Sequence, residues 1–111
     1  ANALTNATTS NNTAVGVNAL AAVTTGSSNI GIGVNGGSAL TTGSSNIYIG
    51  NGGVAAESNT IRIGTQNTHT IAYMTGIRNT VFPFGGAAVF VTASDQLGIQ
   101  PSSIKYKENV Q

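Results

Sequence analysis

The chain repeats itself at a short, fixed period. Asn12-Thr13-Ala14-Val15-Gly16-Val17 is followed 17 residues on by Asn29-Ile30-Gly31-Ile32-Gly33-Val34, and 17 further on by Asn46-Ile47-Tyr48-Ile49-Gly50-Asn51. A fourth copy, Asn59-Thr60-Ile61-Arg62-Ile63-Gly64-Thr65, brings its glycine 14 positions after Gly50. The linking hexapeptide Thr24-Thr25-Gly26-Ser27-Ser28-Asn29 recurs unchanged as Thr41-Thr42-Gly43-Ser44-Ser45-Asn46, with a degenerate forerunner in Ala7-Thr8-Thr9-Ser10-Asn11-Asn12. A period this short means that each copy is one small structural unit, completed only by stacking on its neighbours.

Within each copy the apolar residues alternate, which argues strand rather than helix. Stacked copies give one column of Thr13, Ile30, Ile47 and Ile61 and a second of Val15, Ile32, Ile49 and Ile63. The sequence predicts that these two columns face a core. The column between them, Ala14, Gly31, Tyr48 and Arg62, is then expected to face outward or towards a neighbouring chain. Gly16, Gly33, Gly50 and Gly64 mark the point where each strand turns, since glycine alone takes positive φ freely. A weaker apolar point recurs at Leu20, Val23, Leu40 and Val54.

A coil of 14 to 17 residues with one short strand and Gly/Asn/Ser corners is a β-solenoid rung. Two or three inward aliphatic side chains per rung are too few to offset the backbone entropy of ordering it. The expected remedy is association of three chains about a fibre axis. A monomeric solenoid is the alternative, and an ordinary sandwich fits less well because its strands would not recur so regularly.

Composition agrees with chain-on-chain packing. Charged residues make up 6% of the chain, against about 25% in an average soluble domain. The net charge is +1, and 40% of residues are hydrophobic, so the composition is not that of a disordered chain. No stripe of Lys and Arg exists to neutralise phosphates, which excludes nucleic acid as an expected partner. The chain has no cysteine, hence no disulfide framework and no thiolate metal site. No run of 18 apolar residues points to a membrane-spanning helix. Ala1-Asn2-Ala3-Leu4 does not read as a signal peptide, and the sequence reads as an excised segment.

From Gln66 the register breaks. Ile71 to Ile77 reads as a strand, Val81-Phe82-Pro83-Phe84-Gly85-Gly86 as a turn, and Ala87 to Thr92 as a second strand. Ser94-Asp95-Gln96-Leu97-Gly98 then closes a turn, with a short returning strand over Gln96 to Ile99. Phe82, Phe84 and Phe90 are expected to form an apolar plug. Residues 102–111 carry a candidate Ser N-cap and helix-tolerant residues, a helix start belonging to a following domain.

These residues together resemble a known arrangement. The Asn-Thr-Ala-Val-Gly-like repeats resemble the head repeats of trimeric autotransporter adhesins and of phage tail fibres. Thr70-Ile71-Ala72-Tyr73-Met74-Thr75-Gly76-Ile77 resembles the "T-x-I-A-G-I" strand below such repeats, and Val89 to Gly98 resembles a "V-x-V-D-S-N-G-Q-L-G" hairpin. Pro101-Ser102-Ser103-Ile104-Lys105-Tyr106-Lys107-Glu108-Asn109-Val110 is similar to the "S-S-R-R-F-K-E-N-I" segment leading into the C-terminal intramolecular chaperone of endosialidase-type tail spikes. Ile104 and Lys105 stand where two arginines are usual, and Tyr106 stands for Phe.

The resemblance implies an all-β homotrimer: β-solenoid head repeats over 1–65, an intertwined β-stalk over 66–100, and residues 101–111 leading into a chaperone domain. It implies a structural subunit of a virion or extracellular surface fibre, touching other fibre proteins and presenting a region that meets a host receptor or glycan. An adhesin-type binding module is the second reading. The third is a self-cleaving precursor, for which the family's serine–lysine pair falls on Ser102 and Lys107. That chemistry requires a hydroxyl nucleophile and an amine held neutral as base.

Few other side chains suggest chemistry. His69 is the single histidine. Without nearby partners it reads as a structural or exposed residue, and only a trimer bringing three His69 rings to its axis would make a metal site. The glycine runs do not open a helix, so no phosphate cradle is expected. Tyr48 and Arg62, placed on the outer column, are candidates for receptor or glycan contact, with ordinary surface residues as the alternative. No cofactor is expected.

Overall fold

Stacked coils dictate parallel strands in sequence order, and that is the observed topology. The computed structural model describes residues 3–5 and 11–100, and among these the protein is a small all-β fold without helix. Four strands, β1 (Thr13–Val15), β2 (Ile30–Ile32), β3 (Ile47–Ile49) and β4 (Ile61–Ile63), form one parallel sheet in the order β1-β2-β3-β4. Thr13 pairs with Ile30, Ile30 with Ile47 and Ile47 with Ile61, the register that the repeat spacing requires. The chain divides into two units, one ending at His69 and the other beginning at Thr70.

Three left-handed corners turn the first unit's chain between strands. Gly16, Gly33, Gly50 and Gly64, directly after the strands, all have positive φ. Asn18 and Asn35, then Leu20, Gly37 and Gly53, adopt the same region at the next bend. Asn11, Ser28, Ser45 and Asn59 do so immediately before the strands, at φ between 60° and 71°. Asn and Gly at most of these places lower the steric cost of that conformation.

Behind the last corner runs a ladder of asparagine side chains. Asn12 Oδ1 accepts from Asn29 N and Nδ2 at 3.0 and 3.2 Å, and Asn29 Oδ1 accepts from Asn46 N and Nδ2, both at 3.0 Å. Each Nδ2 also donates to a carbonyl one coil away: Gly26 from Asn12, Gly43 from Asn29 and Glu57 from Asn46. Thr60 ends the ladder, its N–H donating to Asn46 Oδ1 at 3.0 Å. Asn29 and Asn46 are fully buried, and among the described residues no buried side-chain polar atom lacks a partner. A neutral ladder therefore satisfies the interior without burying charge.

The two faces of the sheet are the reverse of the sequence expectation. The middle column points inward: Gly31 and Tyr48 are buried and Ala14 packs on the core. The aliphatic columns point outward, with Ile32 38%, Ile49 39% and Ile63 66% exposed. The physical reason is volume. The coil's return already fills the interior with Leu20, Val23 and Leu40, all fully buried, and a three-residue strand then fits one inward side chain rather than two.

That inward column is matched in size against the corners. A Cβ on Gly31 would lie 2.8 Å from Leu20 Cγ, and one on Gly37 would lie 2.9 Å from Tyr48 Cδ2. A Cβ on Gly53 would meet Tyr48 Cζ at 2.8 Å. Leu20 thus fills the space that Gly31 and Gly37 leave, and Tyr48 fills that left by Gly37 and Gly53. Of the weaker recurring apolar points, Leu20, Val23 and Leu40 are buried and Val54 is half exposed.

The second unit is built differently. Its sole sheet among the described residues pairs β5 (Phe90–Val91) antiparallel with β6 (Leu97–Gly98). Thr92 N donates to Gln96 O at 2.9 Å and Thr92 Oγ1 accepts from Gln96 N at 3.1 Å, closing the hairpin with Asp95 at φ 69°. The strand expected over Ile71 to Ile77 is not formed, and that over Ala87 to Thr92 is reduced to two residues. A strand requires a partner, and this segment has none among the described residues. Phe82, Phe84 and Phe90 are exposed rather than enclosed as a plug. The expected helix start over 102–111 lies outside the described residues.

Candidate functional site

Among residues 1–65 only Glu57 and Arg62 are charged, and they fall in the one shortened repeat. The 14-residue coil brings Glu57 beneath β3 and beside the inward face of β4. Arg62 there occupies the register position that Tyr48 holds on β3. Its guanidinium grips the carboxylate through two of its nitrogens, Nη2 to Oε1 at 2.7 Å and Nε to Oε2 at 2.9 Å. Tyr48 Oη donates to the same Oε2 at 2.6 Å.

The electrostatics follow from this geometry. Hydrogen bonding from Arg62 holds the Glu57 carboxyl below its usual range, with Tyr48 adding to the effect. Burial, with the hydrogen bond to Glu57, pushes the Tyr48 hydroxyl well above the ordinary phenol range. The hydrogen bond to Glu57 raises Arg62 further. All three groups satisfy one another, so the cluster closes the last coil with a polar lid. The outward pair that the sequence suggested is thus split: Tyr48 is fully buried, while Arg62 remains exposed with its guanidinium held by Glu57.

His69 closes the end of the first unit. Its Nδ1 accepts from Thr65 N at 2.8 Å, its own N–H donates to Thr65 O at 2.9 Å, and Thr65 Oγ1 donates to Gly50 O at 2.6 Å. The ring lies against Gly64, where a Cβ would come within 3.3 Å of Nδ1. Nδ1 is thus engaged as an acceptor within its own turn. Among the described residues no three of His, Cys, Asp and Glu converge on a metal position. Ser102 and Lys107 lie outside the described residues.

No protein-family model, curated protein or solved structure matches this chain.

The site that remains is a surface rather than a pocket. Every described residue from Thr65 to Gln100 is exposed. They include Ile71, Tyr73, Met74, Val81, Phe82 and Phe84, with Tyr73 at 92%. The first unit, taken by itself, exposes its aliphatic columns. No helix among the described residues is long and apolar enough to cross a membrane. Sequence reasoning missed Glu57 as the partner of Tyr48 and Arg62. The available signal was the coincidence of the three-residue shortening with the only acid–base pair in the repeats.

Proposed function

We propose that this chain is a structural segment of a homotrimeric fibre, a β-solenoid followed by an intertwined β-stalk, that spaces or presents a receptor-binding region at a virion or cell surface. The observation that carries this reading is the second unit. Its apolar side chains are exposed from Ile71 to Ile99, and a two-residue hairpin is its only regular pairing among the described residues.

Ordering a segment costs roughly 1–2 kcal/mol per residue in backbone entropy. Every described residue of the second unit is exposed, so burial among the described residues offsets little of this, and surface supplied by other chains is what would hold its conformation. Three copies is the number that the resemblance to trimeric adhesin and tail-fibre segments implies, a resemblance carried by the short Asn/Gly repeats, the Thr70 to Ile77 segment and the Val89 to Gly98 hairpin. The sparse charge suits such packing, since few groups need desolvating as the chains meet. A fibre element of this kind works by its length and stiffness and needs no reactive group.

Light scattering on the purified chain tests the reading. The expected mass is three times the 11.1 kDa chain mass, with hydrogen exchange in residues 70–100 slowing as association proceeds. A particle of single-chain mass at every concentration overturns it.

A further inference from the structure

We propose that Asn51 is a site of spontaneous modification, at which attack by the Gly52 amide nitrogen converts the carboxamide through a cyclic imide into aspartate and isoaspartate. The chain holds the tripeptide Asn-Gly-Gly twice, as Asn35-Gly36-Gly37 and Asn51-Gly52-Gly53, and the sequence alone makes the two near equivalents. The fold separates them. Every group involved lies in the first unit of one chain, so the reaction is independent of association.

At Asn35 the nucleophile is occupied. Gly36 N–H donates to Gly33 O at 3.0 Å, and Asn35 Oδ1 is drawn away to accept from Asn18 Nδ2 at 3.3 Å. At Asn51 the nucleophile is free: among the described residues the Gly52 N–H has no hydrogen-bond partner. Asn51 Oδ1 instead accepts from Gly53 N at 2.8 Å, which folds the carboxamide back over the intervening peptide, the one whose nitrogen attacks. An added Cβ on Gly52 would meet only Ser38 Oγ at 3.8 Å, so the approach is uncrowded there.

Backbone donors stand where negative charge develops. Loss of the Gly52 amide proton to hydroxide spreads charge onto Asn51 O, which accepts from Gly37 N–H at 2.8 Å. The nitrogen then bonds to Asn51 Cγ, and charge moves to Oδ1, which the Gly53 N–H already holds. The Cγ–Nδ2 bond breaks, Nδ2 takes a proton from water, and ammonia leaves. Water opens the imide at either carbonyl. Breaking the nitrogen bond to Cγ restores the main chain with aspartate, and breaking its bond to the main-chain carbon routes the chain through Cγ as isoaspartate. Both products give up the Nδ2 bond to Gly64 O at 2.8 Å and leave a carboxylate in its place. Isoaspartate also lengthens the corner whose carbonyls, on Asn51 and Gly52, hold the N–H groups of Gly37 and Ala39. The last coil therefore loosens as the protein ages.

Ageing the full chain in mildly alkaline buffer tests the site. Tandem mass spectrometry locates the amide-to-acid mass change, and isoaspartyl methyltransferase labels isoaspartate. In the folded chain Asn51 is expected to convert at least about tenfold faster than Asn35, whose nucleophile must first break its hydrogen bond. In denaturant the two rates are expected to converge. Gly52→Ala, whose methyl group crowds the attacking nitrogen, is expected to slow Asn51 and leave Asn35 unchanged. Equal rates in the folded chain, or faster conversion at Asn35, overturn the assignment. A preference for Asn51 that persists undiminished in denaturant also overturns it, because flanking sequence would then be the cause. Converted chains are expected to exchange the Gly37 and Ala39 amide protons faster, and unchanged exchange there would overturn the loosening of the coil.

Discussion

Tyr48 Oη donates a 2.6 Å hydrogen bond to Glu57 Oε2 across nine residues of chain, and at this bond the apolar interior of the first unit meets water. The ring fills the space that Gly37 and Gly53 leave open, while the hydroxyl reaches the carboxylate that Arg62 also holds. Packing and polar closure are thus carried by one side chain.

The two contributions separate by substitution. Tyr48→Phe keeps the ring and leaves Glu57 held by Arg62, so a loss of about 1 kcal/mol is expected. Tyr48→Ala empties the space between two glycines that cannot fill it, for a loss of about 3–5 kcal/mol. Amide exchange in β2 and β3, compared at one concentration, gives both values. Equal losses would show that the ring is not what fills the coil.

The same cluster sets a pH window. Glu57 titrates below its ordinary value in the folded chain, so its contribution is present above the unfolded carboxylate range and lost as pH falls through the folded value. Tyr48 is raised, so its contribution is complete below the ordinary phenol range and lost as pH climbs above it. Stability of the first unit is expected to be flat between these limits and to decline on both sides. In Glu57→Gln the acid limb is expected to weaken, read from denaturation midpoints between pH 2 and 7. An unchanged acid limb would place the titrating group elsewhere.

Much of the first unit was legible in the sequence, but the side it turns inward was not. Alternation at Ile30-Gly31-Ile32 gives the period of a strand, and the 17-residue spacing gives its register. Neither says which pleat the return of the coil covers. That depends on Leu20, Gly37 and Gly53, residues from other coils whose volumes complement Gly31 and Tyr48. Isoleucine reads as core in any one-dimensional scan, yet here the glycine and the tyrosine are inside. The second unit was hard to read for a related reason: the apolar run from Ile71 to Ile77 carries the composition of a strand, and among the described residues no strand pairs with it.

The asparagine ladder predicts a cost out of proportion to one surface-type residue. Asn46→Ala removes the acceptor of Thr60 N–H, the donor to the Glu57 carbonyl and the side-chain donor to Asn29 Oδ1, which keeps only the backbone N–H of residue 46. Buried polar groups left without partners cost about 1–3 kcal/mol each, so a total of roughly 3 kcal/mol or more is expected. Asn12→Ala, at the partly exposed start of the ladder, is expected to cost about 1 kcal/mol. Denaturant titration of the two variants side by side checks the ranking, and equal small effects would mean that water replaces the ladder.

His69 offers a test of the turn that ends the first unit. His69→Asn retains a side-chain acceptor of similar reach and is expected to keep the Thr65 amide protected from exchange. His69→Phe keeps a ring beside Gly64 but offers Thr65 N–H no acceptor, and about tenfold faster exchange at that amide is expected. Equal protection in both variants would show that the imidazole does not close the turn.

Glycines in the coil are not equivalent, and two of them make the sharpest comparison. A Cβ on Gly43 would overlap the backbone carbonyl oxygen of Glu57, the atom to which Asn46 Nδ2 donates, and would press on Leu40 Cδ1 at 3.0 Å. The carbonyl cannot retreat without shifting the whole last coil, its asparagine ladder and the Tyr48 lid together. Gly43→Ala is therefore expected to cost about 3 kcal/mol, at the upper end of overpacking. At Gly52 an added Cβ meets only Ser38 Oγ at 3.8 Å, an ordinary contact. Gly52→Ala is expected to be neutral or to stabilise by about 0.5 kcal/mol, because alanine has less freedom to lose from the unfolded chain. Thermal midpoints of the two variants decide the matter: similar midpoints would mean that the coils are not stacked closely enough at Gly43 for the carbonyl of Glu57 to exclude a methyl group.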